Sequence, residues 1–115
     1  MIGPTEWNYL PLSEERIVSQ LIYGRSKLES LKSNPDILCT LIDLDRQIEK
    51  ADLEVDQRDL LGRLMEGYSL GDMATITGTN YDSLELRFRN AVYHIVQQNN
   101  REWLQIHESK LREDV

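Results

Sequence analysis

At 115 residues and 40% apolar composition, the chain is long enough for a single domain with a real core. The 20 acidic side chains outnumber 13 basic ones and leave a formal charge of −7, which argues against tight non-specific binding of a polyanion by a monomer while leaving room for a local basic face. No apolar run approaches membrane-crossing length and no basic-then-apolar signal segment opens the chain, so a reducing cytoplasmic setting away from membranes is expected.

Residues 1–12 read as an irregular arm: Pro4 and Pro11 keep it out of a helix, and Trp7, Tyr9 and Leu10 are expected to anchor it to the body. Ser13 is expected to cap a first helix, with Glu14 and Glu15 at its positive end and Leu12 and Ile17 in the staple positions around the cap. Its apolar stripe runs through Ile17, Val18, Leu21, Ile22, Leu28 and Leu31, interrupted by Gly24, which costs about 1 kcal/mol relative to alanine inside a helix. The run Ser33-Asn34-Pro35-Asp36 predicts a turn in which Asn34 caps a second helix and Pro35 takes its first position, where a missing N–H costs nothing. Ile37, Leu38, Leu41, Ile42, Leu44 and Ile48 form the stripe of that helix, which is expected to end near Ala51. The single Cys39, set in the apolar run ILCTLI, is expected to be a buried thiol, and one cysteine cannot build a disulfide framework. So short a connection predicts an antiparallel hairpin over 13–53, with Asp43, Asp45, Arg46, Glu49 and Lys50 as its solvated face.

A third helix is predicted from a cap at Asp56 with Asp59 three residues on and a Val55–Leu60 staple, burying Leu60, Leu61, Leu64 and Met65 and ending at Gly67. Next comes a short helix over Leu70–Thr77. Ser69 and Asp72 are placed as a capping box, Tyr68 and Met73 as a staple, and Met73, Ala74 and Ile76 facing inward. Gly78 stops it, since glycine takes the left-handed conformation freely. Thr79 and Asn80 complete the turn, and Asn80 or Asp82 caps the following helix. There Leu84, Phe88, Ala91, Val92 and Ile95 recur at spacings of three and four, with Arg87, Arg89, Asn90 and His94 on the exposed side. Two helices joined by a tight glycine turn describe a helix-turn-helix. Beyond it, either the same helix continues as one rod or Asn99-Asn100 breaks it. Trp103, Ile106, His107 and Leu111 then resume a stripe over 99–115 that is either core or a dimer seam. No strand-like alternation appears, and the expected class is all-α: a helical hairpin, a helix-turn-helix unit over 55–98 and a terminal helix, in one domain.

The register Gly67-Tyr68-Ser69-Leu70, Asp72-Met73-Ala74, Ile76, Gly78, Ser83-Leu84, Arg87-Phe88-Arg89 and Ala91-Val92 resembles the DNA-reading C-terminal domain of bacterial sigma factors and the related LuxR-type regulators. The likeness extends back to Val55 and covers under half of the chain. It implies a small transcription regulator of phage or mobile-element type that binds double-stranded DNA. Ser83 and Arg87 would reach base edges, Tyr81 and Arg89 would position phosphates, and Asn90 is a further candidate. It also implies a homodimer formed through the helix after the recognition helix, with RNA polymerase as a second partner. The chain departs from the family where Tyr81, Asp82 and Glu85 replace the usual basic or small polar residues. A carboxylate is repelled by phosphate, although it can accept from a cytosine amino group.

Two other readings accompany this one: a scaffold whose acidic body binds a protein, and a DNA-packaging small subunit of phage type. Pairing of Glu85 with Arg89 at helix spacing would favour plain solvated surface, and arginines clear of carboxylates would favour DNA. No catalytic residue, metal or cofactor is expected. His94 and His107 are far apart with no ligand spacing, and Gly62, Gly67, Gly71 and Gly78 are scattered punctuation rather than a phosphate loop.

Overall fold

The computed structural model describes the backbone of residues 11–113 and the side chains of residues 12–107. The expected anchors Trp7, Tyr9 and Leu10 lie outside the described residues, as does the side chain of Leu111. A 3-10 turn, Pro11–Ser13, precedes six helices: α1 (Glu15–Tyr23), α2 (Arg25–Glu29), α3 (Pro35–Lys50), α4 (Val55–Met65), α5 (Leu70–Thr77) and α6 (Tyr81–Glu113). Among the described residues there is no strand, and the fold is all-α. No helix among them is long and apolar enough to cross a membrane.

The predicted first helix is two helices. Gly24 sits at φ −91° and ψ 2°, ending α1 and starting α2. A β-carbon there would lie 3.0 Å from the Gln20 carbonyl oxygen, so the backbone turns where only hydrogen fits comfortably. The start of α1 also shifts. Glu14, not Ser13, occupies the cap position, because Ser13 is taken into the 3-10 turn that buries Leu12 completely. By contrast Asn34 caps α3 as expected, its Oδ1 accepting from the Asp36 N–H at 2.9 Å with Pro35 in the first helical position.

In α4 the cap lies two residues before the expected one. Glu54 fills that position, and its N–H donates to Gln57 Oε1 at 3.0 Å, so the reciprocal pair runs in the register Glu54…Gln57 instead of Asp56…Asp59. Val55 is consequently exposed and no staple forms with Leu60. Leu60, Leu61 and Leu64 are buried as predicted.

One core joins Leu12 of the 3-10 turn, Val18 and Ile22 of α1, Leu44 of α3, and Leu60, Leu61 and Leu64 of α4 to the inner face of α6. On α6 that face is Leu84, Phe88, Ala91, Val92, Ile95 and Val96. The helix runs 33 residues without interruption. At about 1.5 Å per residue it is about 50 Å long and sets the longest dimension of the molecule, 57 Å. Asn99 does not break it, and its side chain is fully buried.

The packing of α3 corrects two expectations. Its apolar stripe is wider than the surface available to it, because its extensive packing is on α6 alone. Leu41, Leu44 and Gln47 are its buried residues, with Leu41 in a groove shared with Leu21 of α1 and Leu28 of α2. Ile42, about 100° round the helix from Leu41, stays 55% exposed, and Leu38 and Cys39 are exposed with it, so the thiol is not buried.

The charges of α3 are only in part the expected solvated face: Asp45, Glu49 and Lys50 are exposed, whereas Asp43 and Arg46 are half-buried. Glu102 of α6 accepts from Gln47 Nε2 at 2.8 Å and lies 3.3 Å from Lys50 Nζ and 3.4 Å from Arg46 Nη1. Arg46 in turn stands 3.6 Å from Asp43, and the Asp43 and Glu102 side chains retain only 14% and 15% of their exposure. Asp45 takes both ends of the Arg25 guanidinium, at 2.7 and 2.9 Å, tying α2 to α3. These residues are a polar joint between elements distant in sequence.

Candidate functional site

Local chemistry fixes the three-helix unit α4–α5–α6. Gly67 follows α4 at φ +112°, and the Tyr68 N–H returns to the Arg63 carbonyl at 3.1 Å. Ser69 then caps α5 reciprocally: its hydroxyl accepts from the Asp72 N–H and its own N–H donates to Asp72 Oδ2, both at 3.0 Å. The Ser69 backbone N–H and hydroxyl together hold the Asp72 carboxyl below the ordinary carboxylate range. At the far end Gly78 adopts φ +69°, the left-handed turn, and Asn80 Oδ1 accepts from the Asp82 N–H at 2.8 Å to start α6. Gly78→Ala is therefore expected to lower stability by about 1 kcal/mol in denaturant titration, through left-handed strain alone, since no atom would crowd the added carbon.

On α5 the inward face is Leu70 and Met73, with Ala74 half-buried against α6. Ile76 was expected to point inward, yet it is 64% exposed. Only two turns long, α5 presents a single narrow face to the core, and Ile76 lies off it.

The sequence-predicted contact residues do not form one patch. Ser83 and Asn90 are exposed on the outer face of α6. Tyr81 and Arg89 lie on the flank beside α1. There the Tyr23 ring contacts Phe88, centroids 5.0 Å apart, and burial, then Tyr81 and Glu85, push the Tyr23 hydroxyl up from its ordinary value. Arg89 Nε reaches Glu85 Oε1 at 4.0 Å between two exposed side chains, a weak contact that salt screens. Two residues before Arg89, and so about 160° away round the helix, Arg87 turns the other way. It is half-buried in a groove shared with Arg58, Asp59 and Arg63 of α4 and Met73 and Thr77 of α5. No carboxylate lies within ion-pair distance of Arg87 among the described residues.

Leu86 escaped the sequence reading, whereas Asp82 was named in it. Leu86 is 59% exposed on the outer face of α6, and Asp82 is exposed one turn before it. The signal for Leu86 was available: it falls between Leu84 and Phe88 and so points away from the stripe they define. Tyr93, one heptad after Leu86, is exposed on the same side. Trp103 stacks on His107, centroids 4.8 Å apart, on the distal part of α6. Among the described residues no group of three or more His, Cys, Asp or Glu could hold a metal ion.

No protein-family model matches the chain, and neither does any curated protein or any solved structure.

Proposed function

We propose that the chain is a sequence-specific, helix-turn-helix DNA-binding regulator of transcription, working in the cytoplasm as a small phage-type regulator. The observation that carries this reading is the mounting of α6. Its first turns are buried on one side against α4 and α5, capped by Asn80 after a left-handed glycine turn, and open to solvent on the other side. A helix held rigidly from behind with a free outer face is what major-groove entry requires. Arg87, in ion-pair contact with no carboxylate among the described residues although Asp56, Asp59 and Glu66 line the same groove, and Arg89, with Tyr81 beside it, then lie on opposite flanks, where a groove-bound helix meets the two phosphate walls. A homodimer would place two such helices on half-sites about one helical turn apart.

Arg87→Ala is expected to leave the melting curve as in wild type and to weaken duplex binding by about three- to tenfold at low salt, reducing the salt slope by about one. Titration of a labelled random duplex and of its enriched sites, at several salt concentrations, measures this. Binding equal to wild type at every salt would remove Arg87 from the interface.

A second reading, a protein-binding module with RNA polymerase among its partners, is favoured by the exposure of Leu86 and Tyr93 on an acidic chain, while the Glu85–Arg89 contact favours plain solvated surface at that flank. Failure to enrich any duplex, together with capture by purified polymerase, is the outcome expected of it.

A further inference from the structure

We infer that the groove between α1 and α6 seats one phosphate of the duplex backbone between Arg16 and Arg89, so that the first helix, outside the helix-turn-helix unit, adds a sequence-independent contact; the inference rests on the DNA-binding reading above. An open groove of about 450 Å³ lies between the two helices. Glu15, Arg16 and Ser19 of α1 line it from one side, and Arg89, Asn90 and Tyr93 of α6 from the other. Both walls repeat at helical spacing, Arg16 with Ser19 and Arg89 with Tyr93, so the members of each pair point the same way. The walls are also fixed relative to each other. Val18 and Ile22 of α1 are fully buried in the core that Phe88 and Val92 of α6 share, and the Tyr23 ring meets Phe88 at 5.0 Å. A groove held from beneath in this way needs little ordering to receive a ligand.

Its chemistry suits a phosphodiester. Guanidinium, hydroxyl and amide groups all donate to phosphate oxygens, and one guanidinium can offer two bonds at once. Among the described residues no carboxylate lies within ion-pair distance of Arg16. Arg89 is held by Glu85 only through the exposed 4.0 Å contact, which a phosphate can displace. Two arginines outweigh the single Glu15 carboxylate in the groove, a local positive excess on a chain of charge −7. Placement then selects the duplex. With the first turns of α6 in the major groove, the flank that carries Arg89 meets one phosphate wall, and α1 stands on that flank. A contact made there carries no sequence information. It strengthens binding to every duplex alike and offsets part of the repulsion between phosphate and the acidic residues.

The test is titration of labelled duplex, random and enriched, at several salt concentrations with the full chain, Arg16→Ala and Arg16→Lys, each first checked by thermal melting. Arg16 is exposed, so all three should melt alike. Arg16→Ala should weaken every duplex by the same factor, about three- to tenfold at low salt, and lower the salt slope by about one while leaving the base preferences as they were. Arg16→Lys keeps the charge and should keep the slope. A single neutral methylphosphonate, stepped along the enriched site, should find one position that weakens wild type and leaves both Arg16→Ala and Arg89→Ala unaffected. Affinity and slope equal to wild type in Arg16→Ala overturn the inference and leave the DNA reading standing, as does a change of base preference on removing Arg16. No binding of any duplex by wild type overturns both.

Discussion

Phe88→Ala should cost about 3–5 kcal/mol and lower the midpoint of thermal unfolding by more than 10 °C. Phe88 is 5% exposed and touches both halves of the molecule: its ring meets Tyr23 of α1 on one side and belongs to the same core as Leu60, Leu64 and Met73 on the other. Its removal opens a cavity that α1 and α4 cannot both close, because each is also held by its own contacts with α6. Urea titration followed by circular dichroism measures the loss. A cost under 1 kcal/mol with an unchanged slope would mean that α6 is not seated on this ring.

Glu102→Ala is the second large effect, expected at about 2–3 kcal/mol. Gln47 is fully buried, and its amide donates to Glu102. Without the carboxylate that donor has no partner, while Arg46 and Lys50, both partly exposed, can turn to water. Glu102→Gln keeps an acceptor for Gln47 and should cost less than half as much. Hydrogen exchange locates the damage: amides over 97–107 should lose protection while those over 84–95 keep theirs, and equal loss along the helix would contradict the role given to the joint.

Burial pushes the Asp43 carboxyl up from its ordinary value, Arg46 pulls it down, and Glu102 adds a further push upward. A raised folded value means that the folded chain holds this proton more firmly than the unfolded one. The contribution of Asp43 is thus fully present in acid and is lost as pH rises through its titration.

What the sequence discloses and what it hides divide by distance along the chain. The Ser69–Asp72 box, the Gly78 turn, the Asn80 cap and the Asn34–Pro35 start are each settled within four residues, so spacing alone reveals them. The cap of α4 escaped because Asp56 is the better capping residue by type, yet Gln57 reaches back to Glu54. The exposure of Ile42 and Cys39 and the burial of Asp43 both depend on where α6 lies, and Glu102 is more than fifty residues from its partners. The candidate site follows the same rule. Exposure of Ser83 and Asn90 was legible from the α6 stripe, whereas the direction of Arg87 depends on the groove that α4 supplies.

Because α6 is one uninterrupted helix, its two ends are a single lever with the buried Asn99 near the fulcrum. Tyr81 stands about 27 Å up the axis from Asn99. A tilt of only about 5° at the polar joint would therefore displace the first turn by more than 2 Å, comparable with the tolerance of a hydrogen bond to a base edge. The buried seam from Leu84 to Val96 opposes such a tilt, so the seating of this arm on the core is what keeps the first turn in register.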